Sequence, residues 1–103
     1  GGDTVYSSAC KRIGRQLEPV DLAAVPIGAY EPRQMMQDSH MNPEEAVSAA
    51  RDLKADKALA MHFGTFDLSD EPLAEPPQRF AVAAAKAGVS GAWILNVGET
   101  RHF

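Results

Sequence analysis

The sequence has one cysteine, Cys10, so an internal disulfide and a cysteine-built zinc site are both excluded. A single thiol fits an oxidising or a reducing compartment equally. Basic residues are in deficit: Lys and Arg number 10 against 14 Asp and Glu, for a formal net charge of -4. That balance lacks the positive excess a nucleic-acid surface demands, so no nucleic-acid partner is expected. No apolar run approaches the roughly 20 residues of a spanning helix. Nor does a basic stretch lead into an apolar core in the manner of a secretory leader. What remains is ordinary globular material, 45% hydrophobic and 23% charged over 103 residues, enough for one small domain. The sequence opens Gly1-Gly2-Asp3-Thr4, without an initiator Met, and reads as the turn after a buried strand. Two origins fit: a piece cut from a longer chain, or a processed small domain.

Three helix–strand units are punctuated along the chain. Ala9, Ile13 and Leu17, with Cys10 beside them, form an apolar stripe at helical spacing after the capping serines Ser7 and Ser8. Gly14 inside this helix costs about 1 kcal/mol, so packing must hold it. Residues 21–28 then read as a buried strand with Pro26 near its end. The next helix has the clearest start: Asn42 as N-cap, Pro43 at the first turn, and Glu45 completing a capping box. Ala46, Val47, Ala50 and Leu53 make its inner face. The apolar run 58–61 predicts a second strand, ending in His62. A proline-rich acidic loop, 67–77, leads to a third helix from Pro77 to about Ala87, closed by Gly88. Phe80, Ala83, Ala84 and Ala87 should face inward. A third strand is expected over residues 92–97. The order α-β-α-β-α-β predicts an α/β fold.

In such folds, functional groups collect beyond the carboxyl ends of the strands. Asp3 and His62 fit that rule, and a carboxylate with an imidazole suits a divalent metal. A turn aspartate and a core histidine are the plain alternatives. His40, ahead of the capped helix, is either a loop residue or a neutral imidazole serving a substrate. In Tyr30-Glu31-Pro32-Arg33, a Glu31–Arg33 pair would fix a turn, while Arg33 could also hold an anion such as phosphate. Met35, Met36 and Met41 flank this segment and suit an adaptable apolar groove.

Taken together, these segments become specific. Gly2-Asp3-Thr4, Pro26-Ile27-Gly28-Ala29-Tyr30-Glu31-Pro32-Arg33, His40-Met41-Asn42-Pro43, His62-Phe63-Gly64-Thr65-Phe66 and Asp70-Glu71-Pro72 occur in an order that resembles the C-terminal part of the metallo-beta-lactamase superfamily. Within it, the chain most resembles N-acylphosphatidylethanolamine-hydrolysing phospholipase D enzymes and their bacterial relatives, over essentially all of its length. The resemblance implies the C-terminal half of an αβ/βα sandwich with two divalent metal ions, zinc in the usual case. It implies that Asp3 bridges both metals, that His62 is the last histidine ligand, and that His40 lies by the substrate phosphate. Tyr30, Glu31 and Arg33 are implied to serve substrate binding. The implied reaction is attack on a phosphodiester by a hydroxide between the metals. The family's H-x-H-x-D-H motif is absent from these residues. Gln34 stands where mammalian relatives carry an aromatic, and Phe63 replaces a common Trp.

The expected activity is therefore that of a metal-dependent, phospholipase D-like hydrolase, complete only with a further half. The expected partners are a phospholipid or another phosphodiester and a membrane surface, with a cytoplasmic or peripheral location. A sugar-phosphate lactonase and a small non-catalytic interaction domain are the competing readings. The strands are apolar at consecutive positions, so both sheet faces call for cover. The helices supply one. A homodimer, or packing on an N-terminal half, is expected to cover the other.

Overall fold

A computed structural model describes residues 2–103; Gly1 of the opening turn lies outside the described residues. The chain forms α1 (Ser8–Gln16), β1 (Leu22–Pro26), α2 (Arg33–Met36), α3 (Pro43–Asp52), β2 (Lys57–Met61), α4 (Glu75–Lys86) and β3 (Ala92–Trp93). The strands make one parallel sheet in the order β1-β2-β3. Parallel neighbours require crossovers, which α2 with α3 and then α4 supply. The fold is thus α/β, as the alternation predicts, with one helix more than expected.

The register explains which face is covered. Ala23 pairs with Ala58 and Val25 with Ala60, while Leu22 pairs with Lys57, Ala24 with Leu59, and Leu59 with Trp93. Side chains alternate across a strand. The Val25, Ala58 and Ala60 side is buried against Ala46, Val47, Ala50, Phe80 and Ala84 of α3 and α4. The opposite side, with Leu22, Ala24, Leu59, Met61 and Trp93, stays half-exposed. The small alanines on β2 let the two helices sit close to the sheet.

The α3 start is as expected: the Asn42 side chain accepts from Glu45 N–H at 2.8 Å, and Glu45 accepts from Asn42 N–H at 3.0 Å. Elsewhere the structure corrects the sequence reading. Ile13 and Leu17 are exposed, and the buried residue of α1 is Gly14. A Cβ there would collide with the Asp52 carbonyl, so this glycine is what lets α1 lie on the end of α3. Tyr6 reinforces the contact by donating to Asp52 at 2.6 Å. The third strand stops at Trp93, and Val97 is fully exposed. Among the described residues the β2 ladder reaches β3 only through Ala58 and Leu59 and does not extend to residues 95–97. The last helix begins at Glu75, two residues before Pro77. Pro76 and Pro77 both fall in its first turn, where a missing N–H costs nothing.

Candidate metal centre

His62 follows directly on β2 with φ of 62°, a left-handed conformation that a side chain adopts at a cost. Two features hold it there. Ile27 N–H donates to the Met61 carbonyl at 3.0 Å, carrying the β1–β2 contact one residue past the strands. Gly28 then passes so close to the His62 carbonyl that a Cβ would overlap it. The ring is thereby aimed outward from the sheet's carboxyl edge.

His40 reaches the same place from the other side. The short α2, which the sequence reading missed, turns the chain so that His40 N–H donates to the Met36 carbonyl at 2.8 Å. The Arg33 guanidinium pairs with Glu45 at 2.6 Å and donates to the His40 carbonyl at 3.4 Å. Glu45 is also the capping-box residue of α3, so one carboxylate ties the helix start to the histidine loop.

Asp3 completes the cluster. Its Oδ1 lies 2.7 Å from His40 Nδ1 and 3.5 Å from His62 Nε2. The two imidazole rings stack with centroids 5.7 Å apart. One ligand atom from each of Asp3, His40 and His62 falls within 4.8 Å of the others. A carboxylate oxygen and two imidazole nitrogens are a donor set that zinc and similar divalent ions accept. Three protein ligands with an open position is the usual form of a catalytic zinc site. The Asp3 side chain is half-exposed, which leaves such a position open to solvent. The donor set therefore fits a divalent metal.

The remaining expected site residues lie behind this cluster. Tyr30 is 0% exposed, so its ring packs inside the protein. Its hydroxyl donates to Glu75 at 2.7 Å and its ring lies under the Arg79 guanidinium, 4.7 Å from the centroid. Burial first, and the Glu75 carboxylate second, push the phenol well above its ordinary range. Arg79 also binds Glu44 at 2.7 Å, welding α4 to α3. The Arg33 guanidinium pairs with Glu45 and keeps a third of its side-chain surface open. Glu31 does fix the turn, but by accepting from the Arg33 backbone N–H at 3.0 Å and not from its guanidinium. The methionines do not share one groove: Met41 is 2% exposed in the core, and Met35 projects into solvent.

Sequence reasoning missed the role of Glu71, which is buried at 6% exposure. Its carboxylate accepts from the backbone N–H groups of Ala29, Tyr30 and Glu31. Burial alone would raise its pKa, yet the hydrogen bonds it accepts outweigh that and hold it below the ordinary carboxylate range. Glu71 thus ties the loop after β2 to the loop after β1. Its sequence signals are its place in the proline-rich acidic loop and in the Asp70-Glu71-Pro72 segment, neither of which points to the β1 loop.

The chain is similar to known proteins. A family model described as a beta-lactamase superfamily domain matches residues 1–63. N-acyl-phosphatidylethanolamine-hydrolyzing phospholipase D 1 of Caenorhabditis elegans is 46% identical over 68 residues, covering 65% of this chain and 19% of that protein. A UPF0173 metal-dependent hydrolase of Listeria monocytogenes serotype 4a is 38% identical over 99 residues, covering 96% of this chain and 37% of that protein. Among solved structures, the metallo hydrolase Igni18 of the archaeon Ignicoccus hospitalis superposes with a TM-score of 0.71 at 25% identity, over 96% of this chain and 37% of that one. The chain thus spans well under half the length of each of these relatives.

Proposed function

This chain belongs to the metallo-beta-lactamase superfamily, and from that premise we propose that it supplies part of the active site of a metal-dependent phosphodiesterase of phospholipase D type. The observation that carries the reading is the convergence of Asp3, His40 and His62 beyond the carboxyl edge of a parallel sheet. The names of the similar proteins support it, broadly from the Listeria hydrolase and more narrowly from the Caenorhabditis phospholipase. The reaction adds water across one P–O bond of a phosphodiester and releases a phosphomonoester and an alcohol.

Asp3 and His62 would hold divalent metal, two zinc ions in the full reading, with Asp3 serving both. When bound, the metal supplies Lewis-acid polarisation of the phosphoryl group and neutralises its charge. His40 anchors Nδ1 on Asp3. That leaves Nε2 as the ring atom to exchange a proton with a phosphoryl or leaving oxygen. Tyr30, Glu31 and Arg33 position the loops rather than touch substrate. The phosphodiester is a phospholipid at a membrane surface in this reading; among the described residues no helix is long and apolar enough to cross a membrane. The half-exposed sheet face is then an internal face, covered by the other half of the sandwich or by a second copy.

The test measures metal content by mass spectrometry and turnover of bis(p-nitrophenyl) phosphate in the intact protein. Asp3→Ala should lose metal and activity together, and His62→Ala should weaken one site. His40→Ala should keep its metal and lose roughly 100-fold or more in turnover. Metal loss in His40→Ala would instead make His40 a ligand, the role its 2.7 Å approach to Asp3 also permits. Unchanged metal and turnover in Asp3→Ala would overturn the whole reading.

A further inference from the structure

His62 also lines a pocket that extends beyond the Asp3 and His40 side of the cluster. It has a volume of about 360 Å³, and Gly28 is among the residues lining it. Among the described residues, nine large hydrophobic side chains are exposed. Three of them, Phe66 at 71%, Leu68 at 79% and Leu73 at 46%, gather around this one opening. Exposed apolar residues scattered singly are ordinary, whereas a cluster around a concavity marks binding. The volume is at the small-molecule end of the range for ligand pockets. Glu71, the buried acid in the lining, has its oxygens committed to three backbone N–H groups, so it does not hold a cation there. His62 belongs to both the metal cluster and the pocket wall. A molecule whose reacting group lies at Asp3 and His62 therefore has this apolar space immediately next to it.

We infer that the pocket is the subsite for an apolar alkyl or aryl group attached to the substrate's scissile group, with Phe66 and Leu68 setting the size accepted. The inference rests on the metal-site reading above, and its test separates the two. Methyl, butyl and hexyl phosphate are titrated by calorimetry into the zinc-loaded intact protein. Burying each added methylene should tighten binding about fourfold until the pocket fills. Phe66→Ser combined with Leu68→Ser should flatten the series and leave methyl phosphate binding unchanged. Both side chains are exposed, so the fold should survive, and an unchanged melting curve would confirm it. A flat series with methyl phosphate still bound overturns the subsite alone; that is the result if another part of the protein covers the pocket. A steep series that the double variant leaves steep overturns the role of Phe66 and Leu68. Loss of methyl phosphate binding as well overturns both readings.

Discussion

His40 and His62 stand 5.7 Å apart, ring to ring, yet the chain brings them there by different means. Beyond its N–H bond to the Met36 carbonyl, His40 is held by polar side chains: Arg33 on its carbonyl, Glu45 on Arg33, and Asn42 with Glu45 at the helix start. His62 is held by backbone. A left-handed residue, a glycine pressed against its carbonyl and a neighbouring loop tied down by Glu71 leave little room to move. Side-chain networks of the first kind lose about a kilocalorie per mole when one member goes. Steric closeness of the second kind has no partial form, because a backbone carbonyl cannot step aside as a side chain can. The His62 side should therefore be the more brittle.

Gly28→Ala is the strongest way to break that contrast. The added methyl meets the His62 carbonyl and the backbone of Phe63 at once. Overpacking of this kind costs about 1–3 kcal/mol and occasionally more. The expected outcome is a large drop in the urea midpoint together with weakened zinc binding, read by denaturation and by metal titration. A stable Gly28→Ala protein with normal zinc affinity would show that the His62 wall yields after all.

Glu71→Gln comes next. The amide keeps the size but turns a donor toward backbone donors, at a cost of about 1–3 kcal/mol. The pH dependence sharpens the test. The folded-state pKa of Glu71 is depressed, so its contribution is present above the unfolded value and is lost as pH falls through the folded one. The stability difference between wild type and Glu71→Gln should be full at neutral pH and shrink on acidification. A difference that stays constant with pH would mean that the ionised carboxylate is not what the three N–H groups require.

The same contrast explains what the sequence disclosed. The Asn42-Pro43-Glu44-Glu45 start is local chemistry, readable from four consecutive residues, and the structure forms it as read. The sheet strands up to His62 were legible because apolar runs bounded by turn residues have few alternatives. Gly14 and Gly28 were not, since their purpose is to admit the carbonyls of Asp52 and His62, which are remote in sequence. The end of β3 is overread because Ile94 and Leu95 look like strand, although among the described residues the β2 register reaches only Ala92 and Trp93. Asp3 and His62 were picked out by position at strand ends. The approach of His40 to them depends on α2, whose Arg33-Gln34-Met35-Met36 carries no helical apolar face to signal it.

Asn42→Ala tests the softer wall and should have the smallest effect. Removing an N-cap side chain costs about 1 kcal/mol. Here it frees the Glu45 N–H, but Glu45 keeps its 2.6 Å pair with Arg33, and Arg33 keeps its contact with the His40 carbonyl. The histidine loop should therefore stay in place while the α3 end frays. Denaturation should show the loss of about a kilocalorie per mole, and zinc affinity should be unchanged within error. If Asn42→Ala cut turnover as deeply as His40→Ala, the capping box itself would be holding His40 in the cluster. The two walls would then be equally brittle, and the short helix between Arg33 and Met36 would be a passive link between them.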